Sequence, residues 1–184
     1  MGEVKLRFIG AGGHGILTLG ALVGTAATVY AGKEAVMTIS YSPAQRGGWS
    51  RADVIVSDDP IDYPIFKSPD VLVATTQETY DLESGNVRTG GIIIYESSLV
   101  KPRSIEGVKQ YGIPAITTAI KVGSRLAANI VILGFLNKLL GLLPEEAVVQ
   151  AIKSRIKKKY LDLNLKAYEE GKRLWEVYKS GGGE

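Results

Sequence analysis

Residues 10–32, GAGGHGILTLGALVGTAATVYAG, contain no Asp, Glu, Lys or Arg and directly follow the strand-like segment VKLRFI. A run of that kind has few ways to keep its apolar side chains from water. It can cross a bilayer, act as a secretory leader behind Lys5 and Arg7, or lie buried inside a folded domain. Its first third is glycines around His14, and the remainder is rich in Gly and Thr. Those residues suit neither a membrane span nor a leader. They suit a helix buried against a sheet, so no membrane partner is expected.

The rest of the chain supports that reading. Val4, Leu6 and Phe8 alternate with charged residues in a first strand, and the helix after the glycines runs to about Tyr30, before Gly32. EAVMTISYS and RADVIVS read as second and third strands, and the proline-rich DDPIDYPIFKSP as a surface loop. DVLVATT is an apolar strand of the type buried on both faces of a parallel sheet. TQETYDLESG is expected to be a short helix stopped by Gly85, and GGIIIYES a strand. YGIPAITTA is expected as the last strand, after a weak helix bracketed by Gly107 and Gly112.

From Val122 onward the pattern is helical. Leu126, Ile130, Leu133 and Asn137 fall at helix spacing, as do Val149, Ile152, Ile156 and Tyr160 in the next helix. Pro144-Glu145-Glu146 makes a good first helical turn. NLKAYEEGKRLWEVY is a final amphipathic helix. The expected fold is α/β, a mainly parallel sheet flanked by helices, with a Rossmann-like glycine turn after strand 1 and a helical C-terminal third. Residues 1–184 are expected to form a single domain with its core at about 6–175, a length that buries about 70% of the unfolded surface.

Composition narrows the chemistry. Without cysteine, the chain offers no disulfide, thiolate zinc site, cysteine nucleophile or cysteine-ligated iron–sulfur cluster. A single histidine leaves little for a metal site, and no metal ligands or catalytic residues are assigned. The formal charge of +3 suits an anionic ligand but is far from the basicity that marks nucleic-acid binders, so no nucleic-acid partner is expected.

Gly10-Ala11-Gly12-Gly13-His14-Gly15 stands between a strand and a helix, the context in which G-x-G-x-x-G binds phosphate. Bare peptide N–H groups can there close around an anion at the positive helix end, although a tight turn that packs helix on sheet has the same glycines. A dinucleotide site also needs an acid at the end of the second strand. That strand ends at Tyr41-Ser42-Pro43, and Glu34 comes before it, so NAD is disfavoured. The next segment is YSPAQRGGWSRADVIVS. Arg46, followed by Gly47 and Gly48, would complete an anion site beside the glycine turn, since Arg binds phosphate or carboxylate through two parallel hydrogen bonds. The alternative pairs Arg46 with Asp58 or Asp59 across a hairpin.

Other features have plainer readings. His14 has no nucleophile or orienting carboxylate nearby in sequence and reads as a polar residue at a helix start. Lys157-Lys158-Lys159 reads as the solvated face of the helix carrying Ile152, Ile156 and Tyr160. Gly20, Gly24, Ala27 and Thr28 form a row of small residues for close packing on the sheet or on a neighbouring subunit. Trp49, read as lying in a loop, is either buried beneath it or docked on a partner.

At GAGGHGILTLG, YSPAQRGGWSRADVIVSDDPIDYP followed by SPDVLVA, AANIVILGFL and NLKAYEEG, the chain resembles the gamma subunit of the 2-oxoacid:ferredoxin oxidoreductases. The likeness runs from about Leu6 to Trp175. It implies a cytoplasmic, multi-subunit enzyme that oxidatively decarboxylates a 2-oxoacid to an acyl-CoA and passes electrons to ferredoxin. It also implies alpha, beta and delta partner subunits. Thiamine diphosphate and the iron–sulfur clusters are implied on those partners, with none tightly bound by this chain. Coenzyme A is implied as the ligand near this subunit. Gly10, Gly12, Gly13 and Gly15 then match the family's glycine turn, Arg46, Gly47 and Gly48 its RGG, and Asn129 the Asn of its A-x-N helix start. His14 departs from the usual Gln. The YSP-x-x-RGG form is most similar to the 2-oxoglutarate synthase branch, with pyruvate and branched-chain acids open. Two other roles stand beside coenzyme A positioning: a purely structural scaffold subunit, and a stand-alone dinucleotide-binding oxidoreductase. The isolated chain is expected to be inactive, and its homodimerisation is left open.

Overall fold

The computed structural model describes residues 2–44 and 47–182. Strand β1 (Val4–Ala11) leads through the glycines into α1 (Ile16–Thr25) and a π-helical turn, Ala26–Tyr30. Then come β2 (Glu34–Tyr41), β3 (Trp49–Ser57), β4 (Val71–Ala74), α2 (Gln77–Glu83), β5 (Ile92–Glu96) and β6 (Lys109–Ile113). Among the described residues four α-helices follow: α3 (Ala115–Val122), α4 (Ala128–Leu140), α5 (Glu145–Arg155) and α6 (Lys158–Val177). The charge-free run is thus divided among a strand end, a turn and a short helix. Among the described residues no helix is long and apolar enough to cross a membrane.

The six strands lie in the order β2-β3-β1-β4-β5-β6. β1, β4, β5 and β6 are parallel, whereas β3 is antiparallel to both β1 and β2. The link 42–48 is too short for the crossover that parallel strands require, so β2 and β3 form a hairpin at one edge. Leu6, Phe8, Val54, Val56, Val73 and Ile94 face α1 and the C-terminal helices in the larger core. Ile9, Leu72, Ala74 and Ile93 face the other way, under Tyr80 of α2, Val87 and Val100.

Five local expectations are corrected. YGIPAITTA is not one strand: β6 ends at Ile113 and α3 begins after Pro114. The β-branched ITT favours a strand, but the Glu96 carboxylate accepts the Ile116 N–H at 2.9 Å and holds the start of a helix there. The weak helix between Gly107 and Gly112 is a turn and strand, since Gly107 lies at φ +71 and residues 109–113 pair with β5. Ile156 and Tyr160 do not continue α5: the chain is extended at Ile156, and Lys157–Lys159 form the junction and start of α6, exposed as expected. Leu126 is 80% exposed in a turn ahead of α4, and Trp49 is the first residue of β3, paired with Ala11, rather than a loop residue.

Helices α4 and α6 approach through two glycines. A Cβ on Gly134 would sit 2.2 Å from the Tyr168 carbonyl oxygen, and one on Gly171 would sit 2.0 Å from that of Val131. Gly20 does the same for α1 on the sheet, where a Cβ would fall 2.8 Å from the Ala52 Cβ; that glycine serves internal packing. At the end of α4, buried Asn137 replaces missing backbone partners, donating to the Leu143 carbonyl and accepting its N–H at 3.0 and 3.1 Å.

The charged positions of β1 hold a second surprise. Arg7 is 4% exposed. Its Nε and Nη2 donate to the two oxygens of Asp53 at 2.9 and 2.8 Å, and Nη1 donates to Glu83 at 2.8 Å. The carbonyls of Phe66 and Lys67 accept from Nη2 and Nη1 at 3.2 and 3.3 Å. Every guanidinium N–H is used. Burial disfavours the charge, but Asp53 and Glu83 outweigh it and raise the Arg7 pKa.

Two stability measurements follow. Arg7→Met removes the bidentate partner of buried Asp53 and leaves Glu83 paired with Arg51, and is expected to lower the unfolding free energy by about 3–5 kcal/mol in denaturant titration. Gly171→Ala is expected to lower it by roughly 1–3 kcal/mol through overpacking, although alanine is intrinsically the better helix former by about 1 kcal/mol.

Candidate functional site

The glycine segment leaves β1 at the carboxyl edge of the sheet. A Cβ on Gly10 would lie 2.1 Å from Thr75 Oγ1, so the bare residue lets the end of β4 close against β1. Gly13 and Gly15 have φ of +84 and +71, a conformation that L side chains resist. His14 N–H donates to Ala11 O at 3.1 Å, and Gly12 N–H donates to Gly48 O at 3.2 Å. That second bond ties the turn to the β2–β3 link. Among the described residues helix α1 then starts with no side-chain cap and no acid in its first turn, so its leading N–H groups find no partner there at the positive end of the helix.

The link is shaped for that approach. Gly47 has φ +69, and a Cβ on Gly48 would fall 2.6 Å from Ser42 Cβ. Ser42 Oγ accepts the Ala44 N–H at 3.1 Å. Arg46 lies outside the described residues; Ala44 and Gly47, which flank it in the chain, belong to the link beside the glycine turn. Asp58 and Asp59 follow β3 at the far end of the hairpin, where Lys33 pairs with Asp58. On the other side, Asn129 Nδ2 at the start of α4 donates to Gly15 O at 3.1 Å, and Gly15 has no room for a Cβ against it. Gly10, Gly12, Gly13, His14, Gly15, Gly47, Gly48 and Asn129, named from the sequence, therefore meet around one turn.

Three further residues, Thr75, Glu96 and Arg125, were not legible as site residues. His14 Nδ1 is 2.8 Å from Thr75 Oγ1, directly after β4. Glu96 closes β5, is 2% exposed, and accepts from Ser98 N–H, Ser98 Oγ–H and Ile116 N–H at 3.0, 2.7 and 2.9 Å. With Arg125 and Ile132 these residues line a cavity of about 60 Å³ under the glycine turn, the space of about two waters. Their common signal is position: ligands of open α/β sheets bind beyond the carboxyl ends of the strands, where the connections diverge to opposite faces. β1 and β4 form that point here, since α1 lies on one face and α2 on the other.

Two open grooves flank the turn. One, of about 420 Å³, is bounded by Leu17, Tyr41, Gly48 and Trp49, which leaves Trp49 half-buried. The other passes along α1 toward the α5–α6 junction. Burial, then the Arg125 charge, lowers the His14 pKa; the Glu96 carboxylate opposes them. A neutral ring at neutral pH follows.

Residues 5–174 match the family model described as pyruvate ferredoxin/flavodoxin oxidoreductase. The chain belongs to this family and is of its gamma-subunit type. It is 36% identical to the 2-oxoglutarate synthase subunit KorC of Methanocaldococcus jannaschii, covering 95% of this chain and 94% of that one. The gamma subunit of keto/oxoacid ferredoxin oxidoreductase from Geobacter sulfurreducens superposes with a TM-score of 0.85 at 35% identity, covering 95% and 99%. The 2-oxoglutarate:ferredoxin oxidoreductase of Magnetococcus marinus, solved with 2-oxoglutarate, coenzyme A and succinyl-CoA bound, shares the fold with a TM-score of 0.87 at 24% identity. That match covers 96% of this chain and 32% of the longer one.

Because the chain has one histidine, its titration is directly readable. NMR of the His14 ring is expected to give a midpoint below the ordinary 6.5, and Arg125→Gln is expected to move it upward. The depressed value means that any stability tied to the neutral ring is present above about pH 6.5 and is lost as pH falls through the lower folded midpoint.

Proposed function

We propose that this chain is the gamma subunit of a 2-oxoglutarate:ferredoxin oxidoreductase, in which it binds and orients coenzyme A for release of the acyl product. The observation that carries the reading is the Gly12 N–H to Gly48 O contact. It draws the start of α1 and Gly48 to one edge of the sheet, where peptide N–H groups can serve a diphosphate. The guanidinium of Arg46, two residues before Gly48 in the chain, is assigned to the same group. The coenzyme A bound in the Magnetococcus marinus enzyme supports the choice of ligand. The substrate name borne by the Methanocaldococcus jannaschii relative, matched over nearly both full lengths, supports 2-oxoglutarate.

The division of labour is simple. Alpha, beta and delta partners carry thiamine diphosphate and the iron–sulfur clusters, and the thiamine cofactor supplies the decarboxylation chemistry. Residues of this chain contribute no base and no electrons. Gly13 and the α1 start hold phosphate oxygens, Gly12 ties the turn to Gly48, and Asn129 holds the Gly15 carbonyl so that the turn keeps its shape.

In the reconstituted complex, Arg46→Glu is expected to raise the apparent KM for coenzyme A about 10- to 100-fold, from the loss of a charged hydrogen-bonded contact of about 1.5–3 kcal/mol. The KM for 2-oxoglutarate is expected to stay unchanged. An assembled variant with unaltered coenzyme A kinetics would leave only a scaffold role. Assays with 2-oxoglutarate, pyruvate and branched-chain 2-oxoacids should favour the first. Binding of a flavin or nicotinamide dinucleotide by the isolated chain would point instead to a stand-alone oxidoreductase.

A further inference from the structure

Beyond the glycine turn, on the side of α1 away from Tyr41 and Trp49, a groove of about 630 Å³ leads from Gly13 and Gly15 past Thr18 to Arg155 and Lys157. Among the described residues no Asp or Glu lines it. Arg155 is held in place by an Nη1–H to Thr25 Oγ1 hydrogen bond of 3.3 Å at the end of α1. Thr18 and Thr25 are about 10 Å apart along the helix, so the groove joins the turn to a second, distinct positive centre.

That centre is short of negative charge. Among the described residues Arg125, Arg155, Lys157 and Lys158 make no ion pair. Lys159 lies over the Tyr160 ring, 4.7 Å from its centre. Helix α6 begins at Lys158 with no acid in its first turn, so lysines gather where the helix dipole is already positive. The nearest acid in sequence, Asp162, does not line the groove. An arrangement that repels itself gains most from an anion of high charge density. Exposed Leu126 and half-exposed Tyr160 supply apolar surface between the two centres.

We propose that this groove receives the nucleoside end of coenzyme A, with Arg155 and Lys157 contacting its 3′-phosphate while the diphosphate occupies the glycine turn. The inference rests on the coenzyme A reading above. A phosphate monoester carries more charge than either half of a diphosphate, and the α5–α6 junction is the more densely cationic of the two centres.

The test compares coenzyme A with 3′-dephospho-coenzyme A in the reconstituted complex. The unaltered complex is expected to show a KM roughly tenfold lower for coenzyme A, the size of one charge-assisted contact. Arg155→Ala with Lys157→Ala should raise the coenzyme A value to that of the dephospho compound and leave the latter unchanged, and Lys157→Arg alone should keep the preference. Arg46→Glu should raise both values together. An unaltered complex without preference would overturn the assignment, as would a double variant that keeps the preference or only weakens assembly. If neither Arg46→Glu nor the double variant moves either value, the coenzyme A reading itself has failed.

Discussion

The guanidinium of Arg7 is the tie on which the sheet and its surroundings depend. It joins β1 to β3 through Asp53, reaches α2 through Glu83, and holds the 58–69 loop through the carbonyls of Phe66 and Lys67. Arg51 adds a second cation to Glu83 at 3.1 Å. A buried charge set of this kind costs desolvation and is tolerated only when its partners are complete. The dependence is therefore mutual: α2, the hairpin and the loop must all be seated for any of them to be stable there. Since β1 carries the glycine turn and β3 begins beside it, the same tie sets the distance across which Gly12 meets Gly48.

The site grows from the edge that this tie defines. Residues without side chains allow the approach, at Gly10 under Thr75, at Gly15 beside Asn129 and at Gly48 against Ser42. Polar side chains at the strand ends then lock it, with Thr75 on His14 and Glu96 on the start of α3. Neither Thr75 nor Glu96 needs to touch a ligand to matter. Each fixes a wall of the crevice that β1 and β4 open between them.

The C-terminal helices contribute through close contact rather than through chemistry. Gly134 and Gly171 belong to the AANIVILGFL and NLKAYEEG segments that carry the family likeness, and both are filled by a facing backbone oxygen. The likeness there reflects a packing requirement. By holding α4 against α6, these glycines also set α4 and the α6 start, two walls of the groove along α1.

Much of this was readable from the chain alone, because it depends on local pattern. Alternating Leu6 and Phe8, the glycines before Ile16, the turn at Pro144 and the amphipathic last helix each report a period or a backbone preference that holds wherever the segment lies. The glycines between β1 and α1 were legible in the same way. What the chain alone left open was every feature that needs a partner distant in sequence. Arg7 read only as a charged residue alternating with Leu6 and Phe8, because its acids are 46 and 76 residues away. The ITT segment looked like a strand because the carboxylate that starts its helix belongs to Glu96. The lysines looked like one face of a continuous helix, whereas the chain is extended at Ile156, which packs against the core, and a new helix starts at Lys158. Local sequence determined which segments bend, alternate and coil; only the tertiary structure decided which charges would be buried together and which would be left facing a groove, since Coulomb and desolvation energies depend on distance in space and not along the chain.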